Sequence, residues 1–591
     1  MKKYLLAAII FVSAGACKKI LEKSPLDSLT PRQAFATDQD LQLYVNSFYQ
    51  MIPVASAIYG QSGTVPGYYF IGDNMSDITV WTQFNSYLGG GFTSNDAQGW
   101  TWTDLRNINY FLGHYQEANI SEDRKNYYGG MAKFFRAWFY FNKVKMFGDV
   151  PWYGQVLSSV DSGLYKPRDP RILVMDSVLA DINFAVDNID ATKDNTSSMI
   201  TKWVALALKS RICLFEGTFR KYHTELGLMG TSDSWLQNAA DAANEIMQSG
   251  KYAIYSTNAP DKDYRALFTN ENPVSTEVLL AAISNNNLKK WHDATGFFSN
   301  YGKYQTSLVK RFIDTYLNID GSRFTDQAEY DTIQFQREVS NRDERLSQTI
   351  RTPSYKRSDG SAAPPFLGAA LTGYQILKFS LDNPIYDLNG QSYNSIPVMR
   401  YAEVLLNYAE AKAELGTFTN ADWNETIALL RSRAGITNTT MPATLDGYMQ
   451  SNFYPDISSI PIMEIRRERA IELVSEGFRY DDLKRWKEGW LLEKDKEGIY
   501  VPQEDQLLDL DEDGKPDVSF VSATPAHPVS GVYYFIIDNV NNKLSAGSKG
   551  NLVLQTNITN TYPDYKYYAP ILYSELLINK NLIQNPGWDH P

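Results

Sequence analysis

Val398-Met399-Arg400-Tyr401-Ala402-Glu403-Val404-Leu405-Leu406-Asn407-Tyr408-Ala409-Glu410-Ala411 predicts a helix over about 398–415 whose apolar stripe alternates small and large side chains. Residues three and four apart share one helix face, so Ala402, Ala409 and Ala413 line up with leucines between them. Ala239, Ala240 and Ala243 repeat the device in a helix expected at 235–249. Small side chains let helix axes approach closely, so these helices are expected to pack in antiparallel pairs.

Outward from this stretch, helical patterns dominate. A helix is expected to begin at Pro31 behind Thr30, an N-cap with proline at the first helical position, and to carry Leu41, Tyr44, Val45 and Phe48. Thr103 begins another, with Leu105, Ile108, Phe111 and Leu112 on one face. The longest covers 124–147, striped by Phe134, Ala137, Trp138, Phe141 and Val144 and stopped by Gly148-Asp149-Val150-Pro151. Helices near 170–189 and 199–216 follow, and a final pair spans about 461–476 and 478–489. The small-and-large facing stripes resemble tetratricopeptide-type packing. Between the helices lie long irregular stretches at 52–101, 251–305, 320–396 and 491–570, lengths that imply function or small strands of their own. The fold class expected is mainly α: helix pairs forming a scaffold, with long irregular loops and small β elements.

The amino terminus carries its own signal. Lys2 and Lys3 form a basic region, Tyr4 to Val12 an apolar core too short to span a bilayer, and Ser13-Ala14-Gly15-Ala16 lead to Cys17. A secretory signal needs small residues at its cut but no cysteine after them. A cysteine there fits a lipobox, with the thiol lipidated, and multiple acyl chains at ~0.8 kcal/mol per buried methylene anchor a soluble body firmly. Elsewhere the chain has only Cys213, in an apolar helical run, so no disulfide is expected and burial must stabilise the fold. The formal charge of −12 repels phosphate backbones, which argues against nucleic acid.

Several segments then match one family in order: the 398–411 stretch; Arg431-Ser432-Arg433-Ala434-Gly435; Glu468-Arg469, Glu472-Leu473, Glu476-Gly477 and Arg479 leading to Asp482-Leu483-Lys484-Arg485-Trp486; and Gln584-Asn585-Pro586-Gly587-Trp588. Asn341-Arg342-Asp343-Glu344-Arg345-Leu346 and the Phe147-to-Pro151 stop agree. The chain resembles the SusD/RagB family of outer-membrane nutrient-binding lipoproteins of Bacteroidetes. That resemblance implies a SusD-like domain at 17–591 behind a signal peptide at 1–16. Within it, an N-terminal helical part (17–250) carries a binding-loop insert at about 52–101, and 251–591 forms the C-terminal part. It also implies capture of a glycan, with peptide as the alternative, and delivery to a SusC-like TonB-dependent transporter without catalysis. Membrane contact is through the lipid alone. Lys18 and Lys19 stand where relatives often carry acidic residues, so a position facing the cell exterior is what the family implies and not what that signal gives.

The residues themselves support a binding role. Glu464, Glu468, Glu472 and Glu476 recur every four residues among Arg466, Arg467, Arg469, Arg479 and Arg485, which reads as an ion-pair network pinning two helices. There is no His-Glu-x-x-His, no Gly-x-Ser-x-Gly and no phosphate-cradling glycine loop. A glycoside hydrolase, needing only two carboxylates, is the remaining enzymatic alternative. Two aromatic, polar, irregular segments are candidate ligand contacts: Tyr68 to Trp100, with Asp73, Asn74, Asp77, Trp81 and Tyr87, and Asn285 to Tyr304, with Trp291, Phe298 and Tyr301. Rings stack on the C–H faces of sugars while amides and carboxylates meet hydroxyls. Trp102 is assigned to packing, and Gln584 to Trp588 to a tail docked on the core. Finally, Asp509, Asp511, Asp513 and Asp517, with Gly514, follow the oxygen-ligand spacing of a structural Ca2+ loop, although Phe520 replaces the usual closing glutamate.

Overall fold

The computed structural model describes residues 34–53, 75–82, 84–158, 160–299, 304–387 and 390–588. Its principal helices are α1 (Asp38–Asn46), α2 (Thr103–His114), α3 (Glu122–Phe147), α4 (Arg171–Asn188), α5 (Lys202–Tyr222), α6 (Ser232–Gln248), α7 (Arg345–Thr349), α8 (Tyr401–Glu414), α9 (Ile427–Arg433), α10 (Ile460–Glu472) and α11 (Arg479–Arg485). Pairs α3/α4 and α5/α6 pack side by side, α6 lies on α8, and α8 on α10. The two alanine-bearing helices are therefore each other's neighbours, and Ala239, Ala240, Ala243, Ala402, Ala409 and Ala413 are all buried. The fold is mainly α, as the stripes predict.

Several boundaries differ from expectation, among them the end of α5, which runs on to Tyr222, and of α11, which stops at Arg485. Pro31 lies outside the described residues, and α1 starts at Asp38. There Thr37 and Asp40 form a capping box: the Thr37 hydroxyl accepts from the Asp40 amide while the Asp40 carboxylate accepts from the Thr37 amide. Val398 to Arg400 is strand and not helix. It closes β4 (Ile396–Arg400), wholly buried against β2 (Val278–Ala282), and Arg400 stays extended so that its guanidinium reaches Glu472 and Glu476. The helix expected at 461–476 ends at Glu472, because Ser475 and Gly477 take left-handed backbone (φ +60° and +80°).

The carboxylate-rich helix α10 does sit in an ion-pair network, but most of its partners come from elsewhere in the chain. Arg345, at the start of α7, reaches Glu468 and Glu472. Arg431 on α9 takes Glu464 and Glu468, and Arg433 takes Glu472. Lys378 and Arg400 hold Glu476. Arg485 goes instead to Glu410 and Asp482. Burial alone would raise the acids, yet the surrounding arginines leave Glu464 and Glu476 lowered and Glu472 well below the usual carboxylate range. The network thus staples α7, α8, α9 and α10 to one another.

The long stretches carry small sheets. β1 (Thr79–Val80) pairs antiparallel with β3 (Ser307–Leu308). β5 (Lys496–Val501), β10 (Gly550–Leu554) and β9 (Asn542–Leu544) form one three-stranded sheet, and β6 (Leu507–Leu508), β7 (Val518–Val521) and β8 (Tyr533–Ile536) another. The tail docks as expected. The Gln584 side chain pairs with both backbone groups of Ile571, and the Asn585 amide donates to the carbonyls of Phe147 and Ala569. Trp588 donates to the Tyr568 carbonyl. Gly148, which stops α3 at φ +74°, lies under this tail, where a Cβ would stand 2.9 Å from the Tyr568 ring. Cys213 is fully buried, its thiol pushed up to about 12 by burial. No helix among the described residues is long and apolar enough to cross a membrane.

Candidate ligand-binding face

The β1–β3 pairing joins the two aromatic segments singled out in the sequence. Thr79 faces Leu308 and Val80 faces Ser307, and the Thr82 amide donates to the Tyr304 carbonyl at 2.9 Å. The next ring on each side then meets its counterpart: Trp81 stacks on Tyr304 with centroids 5.4 Å apart and planes 24° apart. Both are half-buried. Beneath them Tyr304 touches Phe297, Phe297 meets Phe298 edge-on, and Phe298 stacks on Phe379, so the outer pair rests on the core. Gln555, after β10, donates to the Trp81 carbonyl at 2.9 Å. The Gln305 amide donates to the carbonyls of Gly368 and Leu367, next to a second ring pair, Phe366 edge-on to Tyr533 at 5.2 Å. Phe366 is 38% exposed. Two ring pairs joined through Gln305 bring aromatic and amide side chains together, the kinds of group that stack on and hydrogen-bond a sugar.

Cys17, Asp73, Asn74 and Tyr301 lie outside the described residues. Trp81 stands on the face just described. Trp291 is half-buried beside the Asn285–Lys290 hairpin, its indole N–H donating to Asn286 Oδ1 at 3.0 Å. Three expected ligand contacts are corrected. Asp77 is fully buried, both its oxygens accepting from Arg479 at 2.7 and 2.9 Å. Arg479 and the more distant Arg311 and Lys496 outweigh burial and keep it ionised. Tyr87 packs among Phe92, Tyr562 and Trp588 and donates to the Lys566 carbonyl, which makes it part of the tail's seat. Phe298 is 1% exposed and belongs to the core beneath Tyr304. Tyr304, Phe366, Tyr533 and Gln555 were not singled out. Only Tyr304 had a signal, the closing aromatic of the second segment. The others come from distant stretches that only folding unites.

Asp509, Asp511 and Asp517 gather with ligand oxygens within 4.8 Å of one another. Asp513 does not join them; its carboxylate turns to the Lys515 amide and ammonium. Asp509 is oriented by the amides of Glu512 and Gly514, and Asp517 by that of Leu510. Burial, then the charges of the neighbouring aspartates, raises Asp517, and Asp511 is raised chiefly by burial. Three carboxylate oxygens converging in this way fit a divalent cation bound by oxygen.

The sequence matches the SusD family model over residues 276–588, more than half of the chain. It is similar to SusD-like protein P2 of Formosa agariphila, 24% identical over 517 residues, covering 83% of this chain and 92% of the relative. It is also similar to SusD-like protein P38 of the same organism (22%, covering 82% and 92%). Among solved structures, a SusD-like protein from Bacteroides fragilis superposes with a TM-score of 0.67 at 21% identity, covering 96% of this chain and all of that one. A SusD-like carbohydrate-binding protein from B. fragilis gives 0.67 at 21% (93% and 99%), and surface glycan-binding protein A from Bacteroides fluxus 0.57 at 18% (93% and 100%). The match, the α-helical scaffold and the docked tail agree that this chain belongs to the SusD family.

Proposed function

We propose that the protein is a lipid-anchored protein of the outer membrane, facing the cell exterior, that captures glycan and hands it to a SusC-like TonB-dependent transporter. The observation that carries this reading is the Trp81–Tyr304 pair, a half-buried ring stack supported from below and flanked by Gln305 and Gln555. Relatives described as carbohydrate-binding and glycan-binding share its fold. The lipobox ending at Cys17 supplies the anchor. Catalysis is not part of the proposal: the densest carboxylate cluster, on α10, is locked against arginines and has no free group to act as acid or base. We assign the Asp509–Asp511–Asp517 loop to a Ca2+ ion that stiffens the β6–β7 connection and takes no part in binding.

Ring stacking of about 1 kcal/mol per ring corresponds to roughly a fivefold loss of affinity on removal. Titration calorimetry against an oligosaccharide panel should therefore show the Trp81→Ala/Tyr304→Ala double variant weakened about 25-fold. Unchanged affinity would remove the face, and binding confined to peptides would replace glycan with the alternative ligand.

A further inference from the structure

Linked to this face through Ser299 lies a cluster of three arginines that has two carboxylate partners among the described residues. Three guanidinium carbons surround the Tyr355 ring: Arg351 at 5.6 Å from its centroid, Arg265 at 5.7 Å and Arg357 at 6.0 Å. Two of them have a carboxylate. Arg265 donates to Asp382 at 2.6 Å and Arg357 to Asp387 at 2.7 Å, with the Tyr355 hydroxyl also on Asp382. Arg351 forms no ion pair among the described residues; its side chain has one long hydrogen bond, Nη2 to Ser299 Oγ at 3.3 Å. Yet Arg351 is only 6% exposed. Its Nε, Arg357 Nη1 and Arg265 Nε are all buried without an acceptor.

A buried guanidinium without a counter-ion is costly, and an arginine does not escape by losing its proton near neutral pH. Burial and the neighbouring charge of Arg357 pull Arg351 down to about 10, still far above neutrality. The positive charge remains, with unmet donors. The edge of the cluster is open to solvent at the Asp382 and Asp387 side chains, which are 43% and 25% exposed. It is also coupled to the ring face. Ser299 ends the helix Ala294–Ser299, which carries Phe297 and Phe298 beneath Tyr304. Gln375 accepts from the Arg351 amide through its carbonyl and donates to the Phe298 carbonyl through its side chain.

We propose that Arg265, Arg351 and Arg357 form an oxyanion site, with Arg351 the principal donor, that receives a sulfate ester or carboxylate carried by the captured glycan. This rests on the glycan-binding reading and narrows it to acidic glycans. Planar guanidinium forks suit a two-oxygen acceptor of either kind. The chain's overall charge of −12 would repel such a ligand at a distance, so a local cationic site is what recognition of it requires.

The test uses inorganic sulfate and sodium glucuronate as probes on the full protein, at constant ionic strength balanced with chloride, with melting temperature as readout. A saturable rise is expected with at least one probe, and the probe that saturates first tells sulfate from carboxylate. The rise should vanish in Arg351→Met. In Arg357→Lys, which keeps the charge but loses the fork, half-saturation should need about tenfold more probe. Sulfate also stabilises proteins non-specifically, but that effect is shared by every variant. An equal response in wild type and both variants, or no saturable response in wild type, overturns the site. Trp81→Ala/Tyr304→Ala should leave the ion response intact, so failure of the ring face and failure of the anion site are read separately.

Discussion

Replacing Asp77 with alanine tests the central claim about how the face is held. Asp77 stands two residues before β1 and is fully buried against Arg479, with Arg311 Nη2 3.9 Å from its carboxylate. Removing it strands a buried guanidinium whose remaining side-chain partner is the Tyr454 hydroxyl. Breaking one side of a buried pair costs about 3–5 kcal/mol. Unfolding entropy of about 2.1 cal/mol/K per residue over 591 residues gives about 1.2 kcal/mol/K, so the melting temperature should fall by about 2.5–4 °C. Glycan affinity should fall with it, because the same residue anchors the strand that presents Trp81. The double variant Asp77→Leu/Arg479→Met removes both charges and should recover most of the melting temperature, since apolar replacements of a buried pair are often neutral. Calorimetric melting with a glycan titration on the same samples reads both quantities. A single variant melting within about 1 °C of wild type would refute the reasoning. So would a double variant as unstable as the single.

Two further outcomes are expected. Lys496 is buried with its ammonium on the Ser76 carbonyl, and burial, then the charge of Arg311, pulls it down to about 7. A lysine depressed in the folded state contributes its full stability above the unfolded pKa of about 10.4 and loses it as pH falls toward 7. Wild type should therefore gain on Lys496→Met as pH rises from 7 to 9.5, and a melting difference constant with pH counts against this. For the acidic loop, Ca2+ should raise the melting temperature of wild type and of Asp513→Asn but not of Asp511→Asn; no difference between calcium and chelator in wild type sinks the metal assignment.

Much of the scaffold was legible because helix stripes are local. Ala402, Ala409 and Ala413 mark a close-packed face, and Gly148 marks a stop, without knowledge of any neighbour. The ion-pair network was legible as a network but not in its wiring. Four glutamates on one face demand cations, yet nothing in the sequence says that Arg345 and Arg400 supply them in place of Arg479 and Arg485. The face was read least well, and for one reason. Asp77, Tyr87 and Phe298 share with Trp81 a polar, aromatic, aperiodic neighbourhood, and composition does not separate a ring that faces outward from one that seats a tail. Register separates them: two residues of β1 paired with two of β3 decide which rings come out together.

Under the proposed function, that pairing also makes ligand capture a gauge of completeness. Thr82 and Tyr304 are hydrogen-bonded across 222 positions, so the stacked rings come into being only once the first and middle portions of the chain have found one another. Contacts this distant in sequence are slow to close. A preparation in which that closure has failed would still show normal helical circular dichroism while offering the sugar nothing to stack on. If the ring pair takes the ligand as proposed, titration stoichiometry below one ligand per chain counts the unassembled molecules.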